Sequence, residues 1–516
     1  ITGEMRYLTE NYGQGQLTTA YMPKDKKYDD EDRAGVFYRH DWASETIPRL
    51  TADAVYSYVS DPDYINDFDD YGLVENRLNL PRRGRVKYYD DFVDAELKVE
   101  TFQTLKATDA KGNIIEDKDK PYSRLPQLTV DYRLPQVNNV LDNFVVTGTH
   151  DSAYFKKSIN DGSESEKSGV RLYNKISASY PVEKTWGFVK PKVSLQHLYT
   201  AYDEESRLDN NVSKDDNDQS VFVPSFSVDS GLNFYSAGSP FGWFDNSMGG
   251  YQLLTPRIKY SYSPYENQSA IPNFDTRIAS FDYDQLFADS WFLGHDRIAD
   301  NNSVAVGLNY RYIDSMGITR FDGGIGDQFL INKPKVGLEA DEGTLDANST
   351  GVAWRSSLQP YRNLWLDFNG ALDSDNNLNY ITSQVRYNPT PNSLINFGVI
   401  ERKQDPITNQ SALSALTAST IIPINENWRF LGQGQFDMDD NKFIDATVGI
   451  DYEDCCYGFS IYGRSYYNDL NLEDKPNRAV MAEFRINGFG NTRSRLTKHL
   501  DDKILGLEPV DYLWKK

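Results

Sequence analysis

The chain has 516 residues, 25% of them charged, with a formal net charge of −22 and a mean hydropathy of −0.62. It holds no run of 18 apolar residues, which excludes a helical membrane protein, and its acidity argues against nucleic acid, which needs a basic surface. Tyr (35) and Phe (26) are abundant while Cys (2) and Met (6) are scarce, a balance common to outer-membrane barrels and to secreted carbohydrate-active enzymes.

Two-residue alternation recurs from one end to the other. Leu50–Tyr58 is the first clear case. In Val93–Thr101, Val93, Ala95, Leu97 and Val99 alternate with Asp94, Glu96, Lys98 and Glu100. Leu128, Val130 and Tyr132 continue the series, then Ile258, Tyr260 and Tyr262, then Val304–Tyr312. Leu364, Leu366 and Phe368 follow, then Ile395, Phe397 and Val399. Period two means strands. The breaks between them, Asp29–Asp32, Asp61–Asp70, Asp203–Glu205 and Asp215–Asp218, are acidic loop material. A strand with its connection takes roughly 20 residues, which predicts about 24–26 strands. A closed barrel of that size has a lumen too wide for side chains to fill. No stretch reads as an internal plug, so a separate protein or domain is expected to fill it. One short helix is expected, at Thr492–Leu500.

The pattern is densest between residues 427 and 489, where four runs follow one another: Asn427–Met438, Phe443–Tyr452, Tyr457–Asn468 and Arg478–Phe489. Each is about as long as a tilted strand needs to cross a bilayer, roughly 9–11 residues. One face is apolar, with Trp428, Tyr452 and Tyr457 near strand ends as an interfacial girdle would have them. The other carries Asp445, Asp451, Glu483 and Arg485 in mid-strand. In the first run Leu431 breaks the alternation. A soluble antiparallel sheet with one wet face would alternate in the same way. Cys455 and Cys456, the only cysteines, stand between the second and third runs. Neighbouring cysteines rarely bond each other, because the geometry strains the intervening peptide.

Catalytic and metal signatures are missing. The five histidines, His40, His150, His197, His295 and His499, have no metal-ligand spacing. Asp373–Asn377 imitates a calcium loop but has Leu378 where glycine is needed and Gln384 where glutamate is needed. Gly323-Gly324-Ile325-Gly326 lies in strand-like sequence, not before a helix.

Several blocks carry a resemblance: Val59–Phe68, Leu254–Tyr265, Asn267-Gln268, Ile271–Asp275, Leu286-Phe287, Gly294-His295-Asp296-Arg297-Ile298-Ala299-Asp300, and Tyr452–Tyr457 with its double cysteine. Together they resemble the LptD family of outer-membrane lipopolysaccharide-assembly proteins. The resemblance implies an all-β fold, a large 26-stranded antiparallel transmembrane barrel enclosing the lipoprotein LptE as its plug. It implies a preceding periplasmic jelly roll that receives lipopolysaccharide from an LptA bridge. Lipid would leave through a lateral gate between the first and last strands. No cofactor, metal or catalysis is implied. Ile1–Tyr7 resembles the third barrel strand, so the jelly roll and first gate strands are expected outside this chain. Residues 1–490 would form the barrel and 491–516 a periplasmic tail. The gate strand would present Val480, Ala482, Glu483, Phe484, Arg485 and Ile486. Cys455 and Cys456 would sit at a periplasmic turn and bond cysteines of the missing domain. A nutrient porin or plugged receptor is the alternative barrel, and a secreted β-rich carbohydrate enzyme the alternative outside that class.

Overall fold

The computed structural model describes the chain apart from residues 27, 69–77, 106–116, 135–143, 161–166, 203–217, 241–249, 339–346, 405–411, 468–475, 487–494, 501–502 and 506–516. The expected loops at 203–205 and 215–217, the start of the C-terminal helix at 492–494 and the strand end at 487–489 lie outside the described residues.

Among the described residues, twenty-five strand segments form one sheet. Two of them, Val182–Lys184 and Phe234–Ala237, continue the preceding strand against the same neighbour. That leaves 23 positions in the ladder. Each pairs antiparallel with its successor, from Thr2–Thr9 to Asn477–Ile486. The four closing runs are the strands Trp428–Asp437, Lys442–Glu453, Tyr457–Tyr466 and Asn477–Ile486. The glycine-rich block lies inside strand Thr319–Leu330.

The wall has an apolar outside and a polar inside. Phe222, Ile325, Phe397 and Val448 are exposed on one face, Val448 by 53%. On the other face Thr447 and Asp451 are fully buried, as the alternation of strand Lys442–Glu453 requires. Trp428, Tyr452, Tyr457 and Phe484 form an outer aromatic row, with successive ring centroids 5.0, 5.5 and 6.1 Å apart. The two ends of the wall differ. One carries mostly tight turns, such as 10–12, 90–92, 185–186, 362–363, 424–427 and 454–456. The other carries longer connections, among them 60–68, 264–300 and 331–338.

Two segments fold inward, which alters the expectation that nothing in the chain occupies the lumen. Residues 264–300 enter from the long-loop end and reach strands on both sides of them. Helix Arg495–Leu500 enters from the tight-turn end. Leu496, Leu500 and Ile504 are buried with Leu394, Ile421, Leu431 and Tyr462. This explains why Leu431 broke the alternation: it faces inward, but onto an apolar segment instead of water. The described part of the C-terminal tail is therefore docked. Asn396 Nδ2 donates to the Leu505 carbonyl at 3.0 Å, and Lys503 pairs with Asp445.

Candidate functional site: the lumenal segments and the last strands

The inward segment 264–300 has little regular structure, so its backbone groups must find partners elsewhere. Asp296 supplies many of them. Its carboxylate is fully buried, and Oδ2 accepts the amide N–H groups of Phe274, Asp275 and Thr276 at 3.0, 2.8 and 3.0 Å. Its other oxygen accepts Arg171 Nη1 at 2.8 Å. Arg171 rises from the strand wall and also donates to Asp275 at 2.5 Å and Asp151 at 3.0 Å. Its guanidinium lies 4.8 Å from the Phe155 ring centroid, and Phe155 stacks on Phe274 at 4.5 Å. One wall arginine thus holds the segment through two of its carboxylates, Asp275 and Asp296, while Asp151 of the neighbouring wall strand braces it from the third side.

The rest of the Gly294–Asp300 block completes the anchor. Gly294 has φ +117°, and a Cβ there would meet Thr276 Cα at 2.8 Å, so only glycine fits. His295 stacks on Tyr173 at 4.3 Å and sets Nδ1 3.3 Å from Asp151. Arg297 donates to the carbonyls of Pro272, Gly337 and Leu338 at 3.2, 3.0 and 2.5 Å, tying a second long connection to the first. Asp300 accepts the N–H groups of Lys335 and Val336. Further along, Asp289 bridges Lys192 and Lys259 at 2.7 and 2.5 Å. Burial alone would raise the Asp289 pKa, but the two ammonium groups hold it well below the usual carboxylate range.

The Val59–Phe68 block repeats the device. Arg33 is 2% exposed and grips Asp61 with two parallel bonds of 3.0 and 2.7 Å. It also donates to Asp25 at 3.1 Å and Asp67 at 2.8 Å. The rings of Tyr28 and Phe68 lie 4.5 and 4.6 Å from it. Tyr64 and Ile65 are buried with Phe37, Val59 and Leu80 beneath.

The last strands hold a buried node of the opposite kind. Asp451, fully buried, accepts Arg429 Nε at 2.9 Å on one oxygen and Arg485 Nη2 at 3.1 Å on the other. Ser460 donates to Asp451 and receives Arg485 Nη1 at 2.8 Å. Arg429 also reaches Thr497 Oγ1 of the docked helix at 3.3 Å. Of the expected gate residues, Val480, Ala482, Phe484 and Ile486 face outward, with Val480 82% exposed. Glu483 and Arg485 face inward, 3.7 Å apart. Cys455 and Cys456 are exposed at the 454–456 turn, with sulfurs 2.8 Å apart and unbonded. They lie at the tight-turn end, whereas the Arg33 and Arg171 clamps serve the long-loop end. Sequence reasoning missed Arg33, Arg171 and the pairing of Asp451. Mid-strand charges such as Asp451 and Arg485 were the available signal.

The LPS transport system D (LptD) family model matches residues 31–428. "LPS-assembly protein LptD" of Psychrobacter cryohalolentis is 59% identical over 515 residues, covering all of this chain and 51% of that protein. The protein of the same description in Acinetobacter baumannii is 36% identical over 520 residues, covering all of this chain and 61% of that protein. The chain thus spans roughly half to three-fifths of these relatives' length. The siderophore receptor PirA of Acinetobacter baumannii overlaps 92% of this chain and 78% of its own at a TM-score of 0.35 and 8% identity, too distant to bear on the argument. With three-quarters of its length matched by the family model and its motif blocks serving as the loop anchors just described, the chain belongs to the LptD family and is a β-barrel of the outer membrane.

Proposed function

We propose that this chain is the barrel portion of a translocon that inserts lipopolysaccharide or lipooligosaccharide into the outer leaflet. Hydrophilic sugars pass the lumen, and lipid leaves laterally between the first and last strands, with no chemistry on the substrate. The relatives' description as assembly proteins supports this reading. The observation that carries it is the match of residues 31–428 to the LPS transport system D family. Twenty-two antiparallel pairings make Thr2–Thr9 and Asn477–Ile486 run in the same direction. They cannot close on each other as an antiparallel seam. Closing an antiparallel barrel on these two strands would take an odd number of further strands, and three would give the 26 that the family resemblance implies. That count makes Thr2–Thr9 the fourth strand, where the resemblance of Ile1–Tyr7 suggested the third. An unpaired edge in lipid is costly, and a seam made of strands distant in sequence is the natural place for a gate.

Barrels of this class keep short turns on the periplasmic side and long loops outside. The 454–456 turn then faces the periplasm, an oxidising compartment, where Cys455 and Cys456 would each bond a cysteine of an N-terminal domain. LptE inside the lumen and LptA joined to that domain are the partners this reading calls for. The test is an engineered disulfide between Ile486 and the strand that neighbours it in the full-length protein. Export should stop while the barrel keeps its heat-modifiable migration. Continued export with the bond quantitatively formed would remove the lateral-gate reading.

A further inference from the structure

Below the tip of the lumenal segment, on the tight-turn half of the inner wall, lies a cavity of about 340 Å³. That volume is at the small end of ligand sites, enough for one substituted sugar. Its lining holds four cations, Lys190, Arg257, Arg311 and Arg355, against two carboxylates, Asp229 and Asp322. The pairings are unequal. Asp229 takes Arg257 with two bonds of 2.9 and 2.6 Å, one on each oxygen. Arg257 in turn stacks under Phe287 of the lumenal segment at 4.0 Å, which makes it part of the frame. Arg311 and Arg355 share Asp322, at 2.5 and 3.8 Å. Their side chains remain 48% and 40% exposed to the lumen, so donors are left over.

The lining also offers Thr255 and Asn309 as neutral hydrogen-bonding groups, and Phe188 and Leu253 as an apolar side. Tyr283, which overhangs Arg355 with its ring 5.2 Å away, donates to Asn309 at 2.7 Å and so roofs the cavity. Glu183 and Asp284, which contact Lys190 and Arg355, stand in solvent at the rim, 64% and 70% exposed. Guanidinium forks suit phosphate and carboxylate oxygens.

We propose that this cavity binds an anionic sugar, one carrying a phosphate or a carboxylate, with Arg311 and Arg355 on the anion. The assignment to sugar rests on the transport reading above. It makes the cavity a waypoint on the lumenal wall at the end where substrate would enter. The probe is glucose 6-phosphate, titrated calorimetrically into full-length protein purified in detergent with any subunit that accompanies it. Glucose and inorganic phosphate are run as separate arms. Glucose 6-phosphate should bind more tightly than either, and Arg311→Gln with Arg355→Gln should weaken it at least tenfold. Arg39→Gln, an exposed cation on a distant strand, should leave binding unchanged. If the double variant fails to show heat-modifiable migration, Arg311→Gln alone carries the test. Binding of inorganic phosphate as tight as that of the sugar phosphate would overturn the proposal. So would unchanged binding in the variants, or binding seen only after the accompanying subunit is removed, which would mark a protein-docking surface. Export is measured on the same wild-type preparation's cells. Absent binding with export intact sinks the cavity's assignment and leaves the transport reading standing.

Discussion

The long-loop clamps and the last-strand node solve one problem with inverted charge. At Arg33 and at Arg171 a single guanidinium sits among three carboxylates. At Asp451 a single carboxylate sits between two guanidinium groups. The difference matters because surplus carboxylates can take up protons, whereas arginine cannot give one away. A clamp that loses its arginine can therefore be relieved by acid, whereas the node that ties the edge strand to two inner strands cannot be relieved once it loses its carboxylate.

Removing the centre of each cluster separates the two cases, and the largest effect belongs to the node. Asp451→Ala takes the shared carboxylate from two buried arginines, Arg429 and Arg485. Losing one member of a buried pair costs on the order of 3–5 kcal/mol, and here nothing can titrate to relieve it. Barrel yield should fall sharply at every pH between 5 and 8. Arg171→Ala should cost towards the lower end of that range, and it should recover as the pH falls towards 5, because its stranded carboxylates can be protonated. Heat-modifiable migration across pH would read both. Equal pH profiles for the two variants would erase the distinction.

Wild-type anchors have the opposite acid response. Burial would raise the pKa of Asp275, but Arg171 and Arg124 hold it below its ordinary value, as Lys259 and Lys192 do for Asp289. A depressed folded pKa means that the stabilisation is complete above the unfolded value of about 3.9 and is lost as pH falls below it. Protease protection of residues 264–300 should persist from neutral pH to about 4 and weaken progressively as the pH falls further, towards the depressed folded values. Loss of protection already at pH 6 would show that these carboxylates do not carry the docking.

The outer face gives the next effect. Val448→Arg should cost about 2–4 kcal/mol if the residue lies near mid-bilayer, visible as lost folded barrel in urea titration. Thr447 has the lumenal parity expected of it, yet it is fully buried, so an arginine there is not the mild control that alternation alone suggests. Gln435, inward-facing and only partly buried, is the better one and should tolerate the charge. Equal losses at 448 and 435 would refute the assigned faces.

What was legible follows from period. Lys442–Glu453 alternates because one face meets lipid and the other does not, and that rule needs no knowledge of the partner strand. Both inward segments were illegible for the same physical reason. Asp296 serves three backbone N–H groups of residues 20–22 positions away, and Arg171 meets it across 125 positions. Such bonds impose no period. Three of the sequence blocks behind the family resemblance, Val59–Phe68, Ile271–Asp275 and Gly294–Asp300, are the anchors themselves, readable as a family mark but not as geometry. Leu431 was a usable clue, since one apolar side chain on a polar face asks what covers it. Leu431→Ala should cost about 2–5 kcal/mol, and Leu496→Ala should release the tail to proteolysis while leaving the barrel folded.

The smallest effect on stability, and the sharpest on chemistry, belongs to the tight-turn end. The Cys455 thiol is pushed up to about 11, first by the hydrogen bond its S–H donates to Cys456 and then by the charge of that neighbour. Both thiols are exposed, so access does not limit them. Thiolate is the reactive form. Cys456→Ala removes the main cause, and the Cys455 pKa should return towards about 8.5. At pH 8 the thiolate fraction then rises on the order of a hundredfold, while each thiolate becomes less nucleophilic as its pKa falls, with a Brønsted slope near 0.4–0.5. The net gain in iodoacetamide alkylation of the reduced protein should be on the order of tenfold. Barrel migration should not change, because the turn buries neither sulfur. An alkylation rate at Cys455 equal to that of the two-cysteine protein would mean that Cys456 does not set its reactivity, and that the pair acts at this turn as two independent thiols.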